Sequence, residues 1–98
     1  MADLRLSNRA SNEIYEEAER LGAFSPSYAR AFIDAVFAKI DLLRQFPELG
    51  RAVPEYGNPA IREVFYRHYR IFYLVSHGGD EVGITSVQSS RYPLQPIQ

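Results

Sequence analysis

The sequence contains no cysteine, no long apolar segment and almost no net charge. Without cysteine, the chain has neither a disulfide framework nor thiolate chemistry, which fits a reducing compartment. No apolar run approaches the roughly 20 residues that a membrane-spanning helix needs. The first residues, Met1 to Leu6, form no apolar signal segment. We therefore expect a cytoplasmic protein without a membrane partner.

The charge is nearly balanced, at −1, and so gives no overall basic surface for nucleic acid. We therefore expect no direct, specific binding to DNA. Ten of the eleven basic residues are arginine, and Lys39 is the only lysine. Arginine pairs bidentately with carboxylate or phosphate, although a GC-rich genome gives the same bias for no functional reason.

Metal and cofactor chemistry have little support in the sequence. His68 and His77 are the only histidines, both fall at predicted strand ends or turns, and no cysteine or carboxylate cluster accompanies them. No nucleotide-binding loop and no Ser/His/Asp arrangement is present. We expect neither a metal nor a cofactor. His68 is interpreted as a turn residue, with a general base as the alternative.

The length of 98 residues predicts one domain, spanning 1–98. Residues 3–6 alternate and predict a short strand. Ser7 or Asn8 can cap a helix whose apolar spacing runs over 10–21, and Ser25 followed by Pro26 begins a second helix. That second helix carries a broad apolar stripe and ends before Pro47.

The second half of the chain has the period of strands. The turn-rich segment 47–60 precedes three of them, predicted at Ile61–Tyr66, Tyr69–Ser76 and Glu81–Val87, and an extended tail follows at 88–98. The fold class is therefore α+β. A short N-terminal strand precedes an antiparallel helical hairpin, which packs on a C-terminal three-stranded antiparallel meander.

The middle strand of this meander is apolar on both faces. Tyr69, Ile71, Tyr73 and Val75 share one face, and Phe72 and Leu74 lie on the other. Two helices cover only one face, so the other needs a partner protein or the chain's own tail. As candidate partner-binding residues we take Phe72, Leu74, Tyr92 and Leu94.

Four segments resemble the toxins of the RelE/ParE superfamily, in the right order and spacing. Leu42–Arg51 is similar to the L-x-x-F-P-x-x-G-R junction of ParE-like toxins, and Ile61–Val64 resembles their "IRE/LRS" strand. Tyr69–Val75 is similar to the strand Y-R-I-x-Y-x-V, and Val82–Val87 to V-x-I-x-x-V. Together they cover nearly the whole chain and favour ParE over RelE.

This resemblance implies the toxin of a bacterial type II toxin–antitoxin system, with a helical hairpin against a curved antiparallel sheet. It implies a cognate antitoxin that wraps the toxin, expected to be ParD-like with a ribbon-helix-helix domain. ParE-like members inhibit DNA gyrase and are not known as nucleases. RelE-like members cut messenger RNA in the ribosome without metal, which is the alternative activity. A third interpretation is an inactive antitoxin-binding or co-repressor module.

If the chain is RelE-like, the resemblance places its catalytic groups at Arg62, Arg70, Arg91 and Tyr92. Metal-free cleavage needs a base and cations around one phosphate. This set is incomplete, because the position that would carry a second cation near Arg62 has only acidic or apolar neighbours. Structural interpretations compete: Arg70 can form a salt bridge with Glu63 across the strand pair, and Arg91 can be a solvated tail residue.

Overall fold

A computed structural model describes residues 1–97 of the chain. Its α-helices are α1 (Asn8–Gly22) and α2 (Pro26–Gln45), and a short 3-10 helix spans His77–Gly79. Its strands are β1 (Asp3–Leu6), β2 (Arg51–Ala52), β3 (Ile61–Tyr66), β4 (Tyr69–Ser76) and β5 (Glu81–Ser89). The fold is α+β, as the sequence predicted.

Both helices begin where a side chain satisfies a free backbone amide. The Ser7 hydroxyl accepts a hydrogen bond from the Ala10 amide at 3.0 Å. The Ser25 hydroxyl accepts one from the Tyr28 amide at 3.3 Å, and Pro26 occupies the first turn of α2. These are the caps that the sequence predicted, since Ser side chains favour this position and Pro needs no donor there.

The strands form one five-stranded sheet in the order β1-β5-β4-β3-β2. The predicted meander is present as β3, β4 and β5, all antiparallel, with β5 two residues longer than predicted. Strand β1 pairs parallel to β5, and β2 pairs with β3 inside the segment that the sequence indicated only as turns. Strand β1 therefore forms one edge of the sheet.

The main core lies between the helical hairpin and one face of the sheet, which we call the helix face. Its buried side chains come from both helices and from β3, β4 and β5: Ile14, Phe32, Val36, Ile40, Leu43, Val64, Ile71, Tyr73, Val82, Ile84 and Val87. The predicted alternation of β4 is confirmed, because Tyr69, Ile71 and Tyr73 all point into this core.

The opposite face of the sheet, the distal face, carries a second and smaller core. Phe72 lies there and is completely buried among Val53, Ile61 and Ile97. Tyr56 and Leu94 pack at its margin. The expectation that Phe72 lies exposed for a partner is therefore wrong, because the 53–60 segment and the tail of the same chain cover it.

Hydrogen bonds hold the tail across the distal face. The Gln95 amide donates to the Gln88 side-chain carbonyl at 3.0 Å, and the Gln88 side-chain amide donates to the Gln95 carbonyl at 3.1 Å. The Ile97 amide donates to the Tyr56 hydroxyl at 3.1 Å. The described part of the predicted 88–98 tail follows β5 as irregular chain from residue 90 onward, and Gln98 lies outside the described residues.

The tyrosines of the core provide a test of this packing. The Tyr69 ring lies 4.6 Å from that of Phe32, and its hydroxyl donates a hydrogen bond to the Glu17 carboxylate. Burial, with this carboxylate, raises the pKa of Tyr69 to about 12. Burial also raises the pKa of Tyr73.

We expect a spectrophotometric titration of the folded protein to show tyrosine ionisation continuing toward pH 12. Tyr69→Phe should remove one late step. Because the fold favours the neutral Tyr69 phenol, its contribution to stability is complete below the unfolded pKa of 10.0 and is lost as the pH rises toward 12. If every tyrosine has ionised by about pH 10.5 while circular dichroism still reports a folded protein, this packing is wrong.

Candidate functional site

Arg70 lies in a network of ion pairs on the distal face. Its Nε is 2.6 Å from Oε1 of Glu63, whose side chain is completely buried. Its terminal nitrogens contact Glu55 at 3.0 and 3.2 Å. Oε2 of Glu63 accepts a hydrogen bond from Nε of Arg51 at 2.8 Å. The predicted salt bridge between Arg70 and Glu63 is thus present.

The positive and negative side chains of this network stabilise one another's charged forms. The Glu55 carboxylate and then Glu63 raise the pKa of Arg70, and the Arg70 guanidinium holds the pKa of Glu55 below its usual value. The Arg70 guanidinium carbon also lies 4.8 Å from the ring centre of Phe72. A guanidinium whose N–H groups already bind two carboxylates, and which also lies against a ring, has no pair of N–H donors free to bind a phosphate.

Arg62 takes part in a second structural arrangement, on the helix face. Its Nη1 donates to the Gly50 carbonyl at 2.8 Å, and the Gly50 amide donates to the hydroxyl of the buried Tyr73 at 2.8 Å. A Cβ on Gly50 would lie 2.3 Å from the Glu63 carbonyl oxygen. Only glycine allows the chain to approach β3 so closely.

The four residues that a RelE-like nuclease would use are not gathered at one place. Arg62 pairs with Tyr73 in the β3–β4 register and faces the helices, whereas Arg70 faces the opposite side. Arg91 and Tyr92 follow β5, and both are exposed, Tyr92 to 71%. The structure therefore places Arg70 against Glu63. It does not place Arg70 beside the other three candidate catalytic residues.

Arg91 lies instead near the turn of the β3–β4 hairpin, at one end of the sheet. We call the surface there the hairpin end, and it is made of Tyr28, Tyr66, Arg67, His68 and Arg91. Arg67 and His68 form the β3–β4 turn, and the Ser90 amide and hydroxyl, at the start of the tail, both donate to the His68 carbonyl. Burial and the positive charge of Arg91 lower the pKa of His68.

A cavity of about 310 Å³ opens beside this turn, between it and the start of α2. Its lining is largely aromatic and includes Tyr28, Phe32, Tyr66, His68 and Tyr69. Tyr28 is 68% exposed, and the Arg67 guanidinium lies 5.7 Å from the ring centre of Tyr66. Arginine and aromatic side chains of this kind are enriched in protein interfaces.

The other candidate partner-binding residues have different surroundings. Leu74 is 41% exposed on the distal face, and Tyr92 is exposed beyond β5. Leu94 is half-buried at the margin of the second core, where it helps to cover Phe72. Leu74 and Tyr92 are thus available for contact in this chain.

Sequence reasoning missed the outer edge of β1 and the groove over Gly83. Gly83 lies in the middle of β5, and a Cβ built there would meet nothing within 4 Å. Its neighbour in the register is Arg5 of β1. A glycine inside a strand was the available signal, since such a residue marks a close approach or an open site.

The described residues were also searched for a metal-binding cluster and for a membrane-spanning helix. Within residues 1–97, no group of three or more His, Cys, Asp or Glu side chains is placed to hold a metal ion. None of the helices described here is both long and apolar enough to cross a membrane.

A helical hairpin packed on one face of a five-stranded sheet, with an antiparallel meander of β3, β4 and β5, is the architecture of the RelE/ParE fold class. A solved structure titled "Chromosomal ParDE TA system from P. aeruginosa" has this fold, with a TM-score of 0.74 and 16% sequence identity. The match covers 91% of this chain and 96% of that one. No curated protein is significantly similar in sequence.

The family follows from the sequence match. Residues 4–92 match the family model described as "ParE toxin of type II toxin-antitoxin system, parDE". The chain belongs to this family, and the sequence-based interpretation as a ParE-like toxin is confirmed.

Proposed function

We propose that this toxin acts in the cytoplasm by binding DNA gyrase, without an enzymatic activity of its own, and that a cognate ParD-like antitoxin neutralises it. The observation that carries the proposal is the state of Arg70. The residue that would hold a phosphate in a nuclease is only 13% exposed and is paired with Glu55 and Glu63. Membership of the ParE family supports gyrase as the target.

The hairpin end is the surface that we propose for contact with the target. It combines the exposed ring of Tyr28 and the half-buried ring of Tyr66 with Arg67 and Arg91. Neither arginine is held in an ion pair within the described residues. A positive surface of this kind fits an acidic protein surface, and fixed charges of opposite sign speed the encounter. Tyr28 and Tyr66 then supply contact area at low entropic cost.

Purified toxin should inhibit supercoiling by purified gyrase, and Arg91→Glu should weaken this inhibition about tenfold, which corresponds to 1.4 kcal/mol. The matched control is Arg44→Glu, which reverses an exposed arginine near the end of α2, and it should behave as wild type. Supercoiling assays over a range of toxin concentrations measure both effects.

Two results would contradict the proposal. If the toxin leaves gyrase untouched and cleaves a transcript on translating ribosomes, the RelE-like alternative is correct. If strong expression of the chain alone leaves growth normal, the chain is an inactive antitoxin-binding module.

A further inference from the structure

The cavity of about 310 Å³ beside the β3–β4 turn, which we call the hairpin-end cavity, has aromatic walls that the core holds in place. Two of its rings, Phe32 and Tyr69, are 2% and 5% exposed, and their centres lie 4.6 Å apart. The Tyr66 ring lies nearly parallel to that of Tyr69, with 6.4 Å between the ring centres. Tyr28 also lines the cavity and is exposed. The cavity is therefore a preformed feature of the folded chain.

The positive charge beside this cavity is not balanced by the fold. Arg67 and Arg91 form no ion pair with any residue in the described range 1–97, whereas Arg20 is held by the Glu17 carboxylate at 2.7 Å. Burial lowers the pKa of His68, and the positive charge of Arg91 lowers it further. Arg20 and Arg67 act in the same direction, and only Glu17 acts in the opposite one. Two uncompensated positive charges thus lie at this site.

The backbone of Arg67 has a conformation that favours glycine. Arg67 is the first of the two residues in the β3–β4 turn, and its φ is 51°. Glycine and asparagine are the usual residues at such turn positions, because a larger side chain is strained there. Within the described chain, the exposed Arg67 guanidinium lies 5.7 Å from the ring centre of Tyr66 and has no carboxylate partner. A strained arginine without an internal partner indicates a role toward an external group.

We propose that the hairpin-end cavity takes one aromatic side chain of gyrase, and that Arg67 and Arg91 bind a carboxylate next to it in the same gyrase segment. This inference rests on the proposed action on gyrase and specifies how the target is recognised. An aromatic anchor in a preformed pocket is typical of interface hot spots, and rings pack well against rings. A guanidinium–carboxylate pair beside the anchor fixes the orientation of the segment.

An acidic protein segment fits this site better than nucleic acid does. A nucleic acid strand carries a phosphate at every nucleotide, and proteins bind it with cations spread along a groove. Here the unpaired arginines number two, and the adjoining cavity, which shares two of the aromatic rings, is bordered by Glu13, Glu16 and Glu17. These carboxylates repel further phosphates, whereas a single aspartate or glutamate needs no more than the two arginines.

The first test uses the full toxin and purified gyrase, with supercoiling as the readout. Ala31→Trp fills the cavity from an exposed position on α2. It should raise the toxin concentration for half-inhibition at least about 30-fold, which corresponds to about 2 kcal/mol. Ala38→Trp is the matched control, because Ala38 is also exposed and lies about two turns later on the same helix. The control should inhibit as wild type does.

Arg67→Gly separates recognition from stability. Because glycine accepts the left-handed backbone, the melting temperature should stay the same or rise by about 4 °C. Inhibition of gyrase should nevertheless weaken about tenfold. His77→Gly is the matched control, since His77 has a φ of 53° in the turn between β4 and β5, at the other end of β4. It should change stability in the same direction and keep full inhibition.

Photocrosslinking identifies the occupant of the cavity. A benzophenone amino acid at position 28 should crosslink to a gyrase peptide that contains an aromatic residue close to an aspartate or glutamate. Inhibition by Ala31→Trp and Arg67→Gly equal to that of wild type would overturn the cavity inference alone. A crosslink to DNA in place of gyrase would overturn it as well and assign the cavity to nucleic acid. If wild-type toxin leaves gyrase untouched, the proposed function itself fails.

Discussion

Gly50→Ala should unfold the toxin or destabilise it by about 3 kcal/mol or more, at the upper end of effects for a single methyl group. The new Cβ would lie 2.3 Å from the Glu63 carbonyl oxygen and 2.7 Å from the Tyr73 hydroxyl. The first of these atoms is backbone in a paired strand, so no rotamer change relieves the contact. The strand pair would have to separate.

This substitution also disturbs two hydrogen bonds. The Gly50 amide donates to Tyr73, and its carbonyl accepts from Arg62. The hydroxyl of Tyr73 is buried, and a buried polar group that loses its partner costs about 1–3 kcal/mol. Thermal unfolding followed by circular dichroism should show a melting temperature lower by about 15 °C, or no cooperative transition.

Gly83→Ala is the matched control for Gly50→Ala. It adds the same methyl group to a strand glycine with open space around it, and we expect stability unchanged or higher by up to about 1 kcal/mol. Equal stabilities of the two variants would contradict the close approach of Gly50 to β3.

The sequence predicted the elements whose signals are local. Ser7, Ser25 and Pro26 are capping residues, and the alternation of β4 sets which side chains enter the core. The pairing of Arg70 with Glu63 was also predictable, because a two-residue turn fixes the register of β3 against β4. Oppositely charged side chains that lie near each other on one face of such a strand pair form an ion pair.

The remaining features depend on contacts between distant parts of the chain. Strand β1 lies beside β5, about 80 residues later in sequence, and nothing in its four residues specifies that neighbour. The cover over Phe72 comes from irregular segments that contain Val53 and Ile97, and irregular chain has no periodicity. The sequence of an apolar tail does not reveal whether the tail itself covers the sheet or whether a partner protein covers it.

The Gly50-Arg51 motif is a further feature whose role the sequence alone does not explain. The sequence marked it as typical of ParE-like toxins, but not why glycine and arginine are needed there. The register of β2 against β3 supplies the reason, since it places Arg51 opposite Glu63 and Gly50 against the β3 backbone. The motif therefore stabilises the junction between α2 and the sheet.

Arg70→Met should destabilise the toxin by about 2–4 kcal/mol, because it removes one partner of a buried carboxylate. The methionine keeps the apolar contact with Phe72, so the loss is mainly electrostatic. Glu63 keeps only Arg51, whose side chain is 59% exposed and more weakly held. Urea denaturation measures the change, and Arg91→Met, at an exposed position, should stay within about 0.5 kcal/mol of wild type.

The double variant Glu63→Leu with Arg70→Met separates the cost of an unpaired charge from a loss of packing. Once the carboxylate is gone, no buried charge remains uncompensated, and apolar replacements of a buried pair are often neutral or stabilising. We therefore expect the double variant to be more stable than Arg70→Met alone, although both lack the Arg70 guanidinium. If Arg70→Met instead kept full stability and lost all effect on growth, Arg70 would be a functional residue, and the structural ion pair would not explain its position in β4.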